Sequence, residues 1–319
     1  MCAIFGVLDV QGKLTPGQRA ALFQGVAYAA QTRGTDASGV AYVQNGTVQI
    51  QKAPRPACHM RWRINSQARY LMGHTRMTTQ GAASRNYNNH PFPGRAGGLS
   101  FALAHNGVLY NDAALRRSYK LPSTHIQTDS YVAVQLLEKA GELSERTLAQ
   151  VAEVLEGSYT FSVLDQRNTL YLIRGNNPLS IRWLPGLGCY LYASTDEILD
   201  SALDTLEIAK LRQTDIPIRQ GDIMTIDSTG KRTVTRFNDA LIQPRYYCGW
   251  HWRGPEQVSE GDSYLEAVLD YGRRHGVPEK ELRLLMDAGY DALDLEELIY
   301  DPPFRKSCIQ EIMSGFGVC

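Results

Sequence analysis

No stretch of the 319 residues approaches the ~20 consecutive apolar positions that a bilayer span requires. Nor does the N-terminus carry a basic segment followed by a long apolar one, so neither a membrane anchor nor a secretory signal is expected. Cysteine is sparse and scattered: Cys2, Cys58, Cys189, Cys248, Cys308 and Cys319. That usage fits reduced thiols in a cytoplasm better than a disulfide framework. Cys248, His251, Cys308 and Cys319 could in principle ligate zinc, but no C-x2-C spacing supports it, and no metal is expected. The net charge is zero, which gives no reason to expect nucleic acid or an anionic membrane as partner. A G-x-x-x-x-G-K-[ST] phosphate loop, internal repeats and low-complexity tracts are also missing.

What is present is ordinary globular material, 43% hydrophobic and 21% charged, enough for one large or two smaller domains. The zero net charge conceals an asymmetry. From Arg245 onward 8 basic residues face 14 acidic ones, so the preceding segment is net positive. An aromatic, then Gly- and Pro-rich stretch, LIQPRYYCGWHWRGPEQVSEGDS, falls at the same place, and a boundary is drawn there between residues 2–244 and 245–319.

Residues 2–244 read as strands with helices in the gaps. CAIFGVLDV has the apolar density of a buried strand, and PGQRAALFQGVAYAAQ that of a helix opened by Pro16. SGVAYVQNGTVQIQKA alternates β-formers on both sides of Asn45-Gly46, the signature of a type I′ hairpin. Strands are predicted at YLMGHT, LSFALAH, SYTFSVLD, TLYLIRG, CYLYAST and GDIMTIDS. DSYVAVQLLEKAG and ERTLAQVAEVLEG are predicted as helices, each closed by Gly. Hairpin strands with inserted helices imply an α+β layered sandwich rather than a parallel sheet. Residues 245–319 read as a small acidic helical extension.

The chemistry concentrates early. Cys2 directly follows the initiator Met, and a small residue there permits Met removal. Cys2 would then carry a thiol beside an α-amine of pKa ~7.7–8.0, partly free base near neutrality. An N-terminal amine is one recognised activator of a weak nucleophile. Four polar segments follow at strand ends or in loops: TRGTDASG (32–39), GHTRMTTQG (73–81), AHNGVLYN (104–111) and QTDSY (127–131). Taken singly, each reads as turn chemistry.

Taken in order with Cys2, they resemble the class II glutamine amidotransferases, which are N-terminal-nucleophile hydrolases. The resemblance covers roughly residues 2–237 and includes EGSYTFSVL, IRGNNPLSI and YASTDEIL further on. It implies a four-layer αββα sandwich with a small C-terminal helical extension, and L-glutamine as substrate. Arg76 would hold the substrate's α-carboxylate, for which a guanidinium fork is suited, and Asp129 its α-ammonium. The Asn106 amide and the Gly107 N–H would form the oxyanion hole, where one donor is typically worth ~10²–10³ in rate. Arg33 and Asp36 would orient the catalytic terminus, and Thr79 would contact glutamine from the closing loop. No cofactor is implied.

The loop departs from the sugar-phosphate synthases, which have an aromatic where Met77 stands and a His where Gln80 stands. His90, in NNHPF, has a counterpart in some members, although a loop His before Pro is more often structural. The second domains that usually consume the ammonia are not visible: there is no Ser-Gly-Gly-x-Asp-Ser adenylation loop, phosphoribosyl-pyrophosphate motif or tandem sugar-isomerase region. Two readings follow, a cytoplasmic glutaminase delivering ammonia to a separate synthase subunit, or a stand-alone amidohydrolase on glutamine or a related γ-glutamyl amide. In the first, Tyr246, Tyr247, Trp250 and Trp252 could dock the partner. A catalytically inactive regulatory or scaffolding protein is a third reading, opposed by retention of all five of Cys2, Arg76, Asn106, Gly107 and Asp129. A penicillin or bile-salt acylase relative is a fourth, opposed by an Arg76/Asp129 pair suited to an amino-acid zwitterion.

Overall fold

The computed structural model describes residues 2–242 and, beyond them, 265, 268–269, 272–273, 276–290, 295, 298–299 and 302–313. The chain divides into two compact units, Met1–Arg245 and Tyr246–Cys319.

The first unit opens with β1 (Ala3–Leu8) and α1 (Pro16–Ala30). Pro16 stands at the first helical position, and Thr15 and Gln18 cap each other's backbone N–H, which fixes where the helix begins. β2 (Ala37–Gln44) and β3 (Thr47–Ala53) form the predicted hairpin, with Asn45 at φ 51° and Gly46 at φ 69°. Then come β4 (Tyr70–Arg76), β5 (Phe92–Ala96), β6 (Leu99–Leu109), α2 (Asp112–Ser118), α3 (Tyr131–Ala140) and α4 (Glu145–Val154). β7 (Gly157–Asp165), β8 (Leu170–Arg174), β9 (Ser180–Leu184), β10 (Cys189–Ala193), α5 (Asp196–Thr205), β11 (Thr214–Asp215), β12 (Asp222–Ile226) and β13 (Arg232–Arg236) complete it.

α3 ends on left-handed Gly141 (φ 71°), as its sequence predicts. α4 does not end on a glycine. Its cap is Leu155 in extended conformation (φ −80°, ψ 130°), because the chain passes directly into β7 without a left-handed turn, and Gly157 is a strand residue.

The strands form two antiparallel sheets, β11-β9-β10-β1-β4-β2-β3 and β13-β12-β8-β7-β6-β5. Side-chain alternation sorts the layers. From β1, Ala3, Phe5 and Val7 pack with Phe23 and Val26 of α1 and Leu199 and Leu203 of α5. Ile4 and Leu8 point the other way, into a core shared with Met72 of β4, Ala104 of β6 and Leu172 of β8. On the far face of the second sheet, Phe101 and Leu103 pack with Val132, Leu136 and Leu148 of α3 and α4. The order is therefore helix, sheet, sheet, helix, the expected αββα sandwich. Phe5 is wholly buried, and truncating such a ring to Ala typically costs ~3–5 kcal/mol.

In the second unit, helices Glu279–Asp287 and Pro302–Met313 share a core of Leu282, Leu285, Leu295, Leu298 and Ile299. Arg305 Nε reaches Glu281 at 3.2 Å. The four aromatics considered for docking, and Cys248, His251 and Cys319, lie outside the described residues. Among the described residues no helix is long and apolar enough to cross a membrane.

Candidate active site

Cys2 stands at the free end of β1, the strand paired with β10 and β4 in the middle of its sheet. It is half-buried, and its Sγ lies 3.3 Å from the carbonyl of Met77. Burial pushes the thiol above its ordinary value, partly offset by the Arg76 guanidinium. Such a sulfur is protonated at neutral pH and needs a base to become an effective nucleophile. Arg33 Nε donates to the Cys2 carbonyl at 3.0 Å, so this side chain holds the backbone that carries the thiol.

Arg76 ends β4, one strand away, and is buried. Its Nη1 donates to Asn89 Oδ1, and its Nη2 to the carbonyls of Gln80 and Gly81, all at 2.6 Å. The guanidinium thus closes the loop that leaves β4 back upon itself. Asp36 fixes the start of that loop: its Oδ2 accepts from the Thr78 N–H at 2.7 Å, and its own N–H donates to the Arg76 carbonyl at 3.0 Å. Arg33 and Asp36 therefore do different work. The first grips Cys2 and the second grips the loop. Thr79 lies exposed on the same loop.

Asn106 and Gly107 sit on β6 in the facing sheet. The Asn106 amide is 2% exposed and donates through Nδ2 to Ser194 Oγ at 3.2 Å. Ser194 also accepts from the Ile4 N–H at 3.0 Å, so one hydroxyl joins Asn106 to the strand led by Cys2. Asn177 Nδ2 donates to the Asn106 carbonyl at 2.8 Å. Gly107 has φ 140°, and a Cβ there would lie 1.9 Å from the Ser158 carbonyl, so only glycine fits.

Asp129, just before α3, is buried, and burial raises its carboxyl to about 6 against the counter-effect of the Leu109 N–H, which donates to Oδ2 at 2.5 Å. Its own N–H donates to Gln80 Oε1 at 3.1 Å. The loop Met77–Gly81 is thus the common neighbour of Cys2, Arg76 and Asp129.

Directly behind these groups lies a cluster that the sequence reading overlooked apart from His90. The His74 and His90 rings are 4.3 Å apart between centroids, and His90 and His105 are 6.4 Å apart. His74 Nε2 donates to the His105 carbonyl at 2.9 Å, and His105 Nδ1 meets Ser130 Oγ at 2.7 Å. All three are buried, and burial lowers His74 and His105 to about 3 and His90 well below its ordinary value. Lys52 donates to the Pro91 carbonyl at 3.1 Å and is likewise brought down to about 8. Among the described residues no group of three or more His, Cys, Asp and Glu side chains is placed to hold a metal ion. The proximity of His74 to Arg76, and of His105 to Asn106, was the available sequence signal for this cluster.

Residues 74–201 match the family model of the glutamine amidotransferase domain. Over this span the chain is similar to the glutamine amidotransferases. The match runs from β4 into α5 and takes in Arg76, Thr79, Asn106, Gly107 and Asp129, while Cys2 and Arg33 precede it. The chain is 31% identical over 213 residues to a glutamine–fructose-6-phosphate aminotransferase (isomerizing) of Geobacillus kaustophilus, covering 64% of this chain and 34% of that one. It is 29% identical over 243 residues to the enzyme of the same name from Listeria monocytogenes, covering 74% and 38%. The chain thus spans little more than a third of these relatives' length. Among solved structures, the chain is similar to the glutamine phosphoribosylpyrophosphate amidotransferase of B. subtilis. The TM-score is 0.60 at 20% identity, over 75% of this chain and 50% of that one, which is a likeness of fold.

Proposed function

We propose that this chain hydrolyses the side-chain amide of L-glutamine through a thioester on Cys2 and supplies the ammonia to an acceptor enzyme on a separate chain. The observation that carries this reading is the convergence on one loop. Met77 meets the Cys2 thiol, Gln80 and Gly81 meet the Arg76 guanidinium, and Gln80 meets the Asp129 backbone. A buried cation and a buried acid therefore flank a thiol, and an amino-acid head group presents the complementary charges.

With Met1 removed, the Cys2 amine takes the thiol proton as sulfur attacks the carboxamide carbon. The oxygen's developing charge falls to the second Nδ2 hydrogen of Asn106 and to the Gly107 N–H. The amine then returns the proton to the departing nitrogen, and ammonia leaves. Water attacks the resulting γ-glutamyl thioester, releasing glutamate and restoring the thiol. Arg33 keeps the Cys2 backbone in place, and the loop bearing Thr79 covers the substrate.

The test is intact-mass analysis after incubation with 6-diazo-5-oxo-norleucine, alongside an ammonia assay with glutamine. The expected outcome is loss of Met1, a single adduct on Cys2, and ammonia release. Unlabelled Cys2 and no ammonia, even with co-purifying chains added, rejects the reading. Full turnover with Met1 retained rejects the amine's role. Ammonia release that no co-purifying chain alters favours a stand-alone amidohydrolase.

A further inference from the structure

We infer that Gln80 is a positioning residue that sets the distance between the two poles of the amino-acid clamp, an inference that rests on the glutamine reading above. The carboxylate and ammonium of an amino acid share one carbon, so their receptors must keep a fixed separation. Arg76 ends a strand and Asp129 precedes a helix, and the two stand 53 positions apart in the chain. A displacement of about 1 Å in such receptors is enough to lose much of the binding they provide.

One residue touches both. Through its carbonyl, Gln80 accepts from Arg76 Nη2 at 2.6 Å, and through Oε1 it accepts from the Asp129 N–H at 3.1 Å. The loop is also held by Asp36 at Thr78 and by the Gly81 carbonyl on Arg76, and just beyond it Asn88 joins the Ala82 carbonyl to Gln127, two residues before Asp129. The Asp129 carboxylate is held on its other flank by the Leu109 N–H. The Gln80 side chain is therefore the link that reaches the Asp129 backbone itself. It is exposed, so neither its length nor its amide is required by packing. Its amide carbonyl is the acceptor that the backbone of Asp129 uses, and an apolar side chain of equal length lacks it.

Gln80→Met tests this in the full chain, with ammonia release measured against glutamine and inhibition measured with glutaramate, which is glutamine without its α-amino group. Loss of one hydrogen bond to the backbone is expected to raise the KM for glutamine about tenfold, with kcat within about twofold. Inhibition by glutaramate, which makes no demand on Asp129, stays within about twofold. An unchanged glutamine KM overturns the inference. So does an equal weakening of both ligands, which would mean that the loop has merely loosened. These outcomes differ from failure of the functional reading, in which the wild-type chain neither releases ammonia nor accepts the label on Cys2.

Discussion

Two polar regions lie side by side within the first unit, and they deal with burial in opposite ways. The clamp keeps its charge-bearing groups: Arg76 is satisfied by an amide oxygen and two backbone carbonyls, and Asp129 by backbone and hydroxyl donors. Neither spends its charge on a side-chain counter-ion in these contacts, so each remains available to a ligand of opposite sign. The imidazoles behind them are kept uncharged. Desolvation and the nearby cations Arg76 and Lys52 hold His74 and His90 neutral, and desolvation does the same for His105. Among the described residues His74 Nδ1 and both ring nitrogens of His90 meet no hydrogen-bond partner. A neutral layer beneath a charged one avoids adding further positive charge beside the guanidinium.

Acid breaks this contrast most severely. In the folded domain His74 and His105 stay neutral down to about pH 3. In the unfolded chain they titrate near ~6.5. Between those limits the unfolded state binds more protons, so stability falls as the pH is lowered through that window, by up to about 1.4 kcal/mol per histidine per pH unit. Melting temperatures at pH 7.5, 6 and 5 should fall progressively, and His90→Phe should flatten the slope. A midpoint independent of pH over this range removes the idea of a neutral layer.

Arg76→Lys sharpens the comparison from the charged side. The charge is kept, but the fork that reaches Asn89 and the two loop carbonyls is lost. An increase of roughly 10- to 100-fold in the glutamine KM is expected, from the value of hydrogen bonds made by charged groups. A KM close to wild type in steady-state assays would take Arg76 off the carboxylate. The smallest effect is at Asp129. With its carboxyl raised to about 6 by burial, it loses its charge as the pH falls through that value. The glutamine KM should therefore be level above about pH 7 and climb toward tenfold per pH unit below 6. Asp129→Asn should start high and show no such climb.

Much of the fold was legible because its signals are local. Pro16 after Thr15 announces a helix start, Asn45-Gly46 a type I′ turn, and the unbroken apolar run of β1 a strand buried on both faces. β5, β9 and β13 were not singled out. β13 is exposed along most of its length, and Pro93 and Gly94 interrupt β5. Of the candidate site, the residue types and their order could be read, and the structure places Cys2, Arg33, Arg76, Asn106, Gly107 and Asp129 around the facing ends of the sheets. The supports could not be read. Ser194 bridges Ile4 and Asn106 across 190 and 88 positions, and Asn89 reaches Arg76 from beyond a loop.

The sequence by itself determined which groups are available: one early thiol, a forked cation, an acid, and a glycine whose position tolerates no side chain. Only the tertiary structure decided what state those groups are in. Burial raises the thiol and the Asp129 carboxyl and silences three imidazoles, and burial depends on which faces of two sheets meet. The same is true of Gln80, an exposed loop residue with no motif of its own, whose two oxygens acquire meaning from the two elements they join.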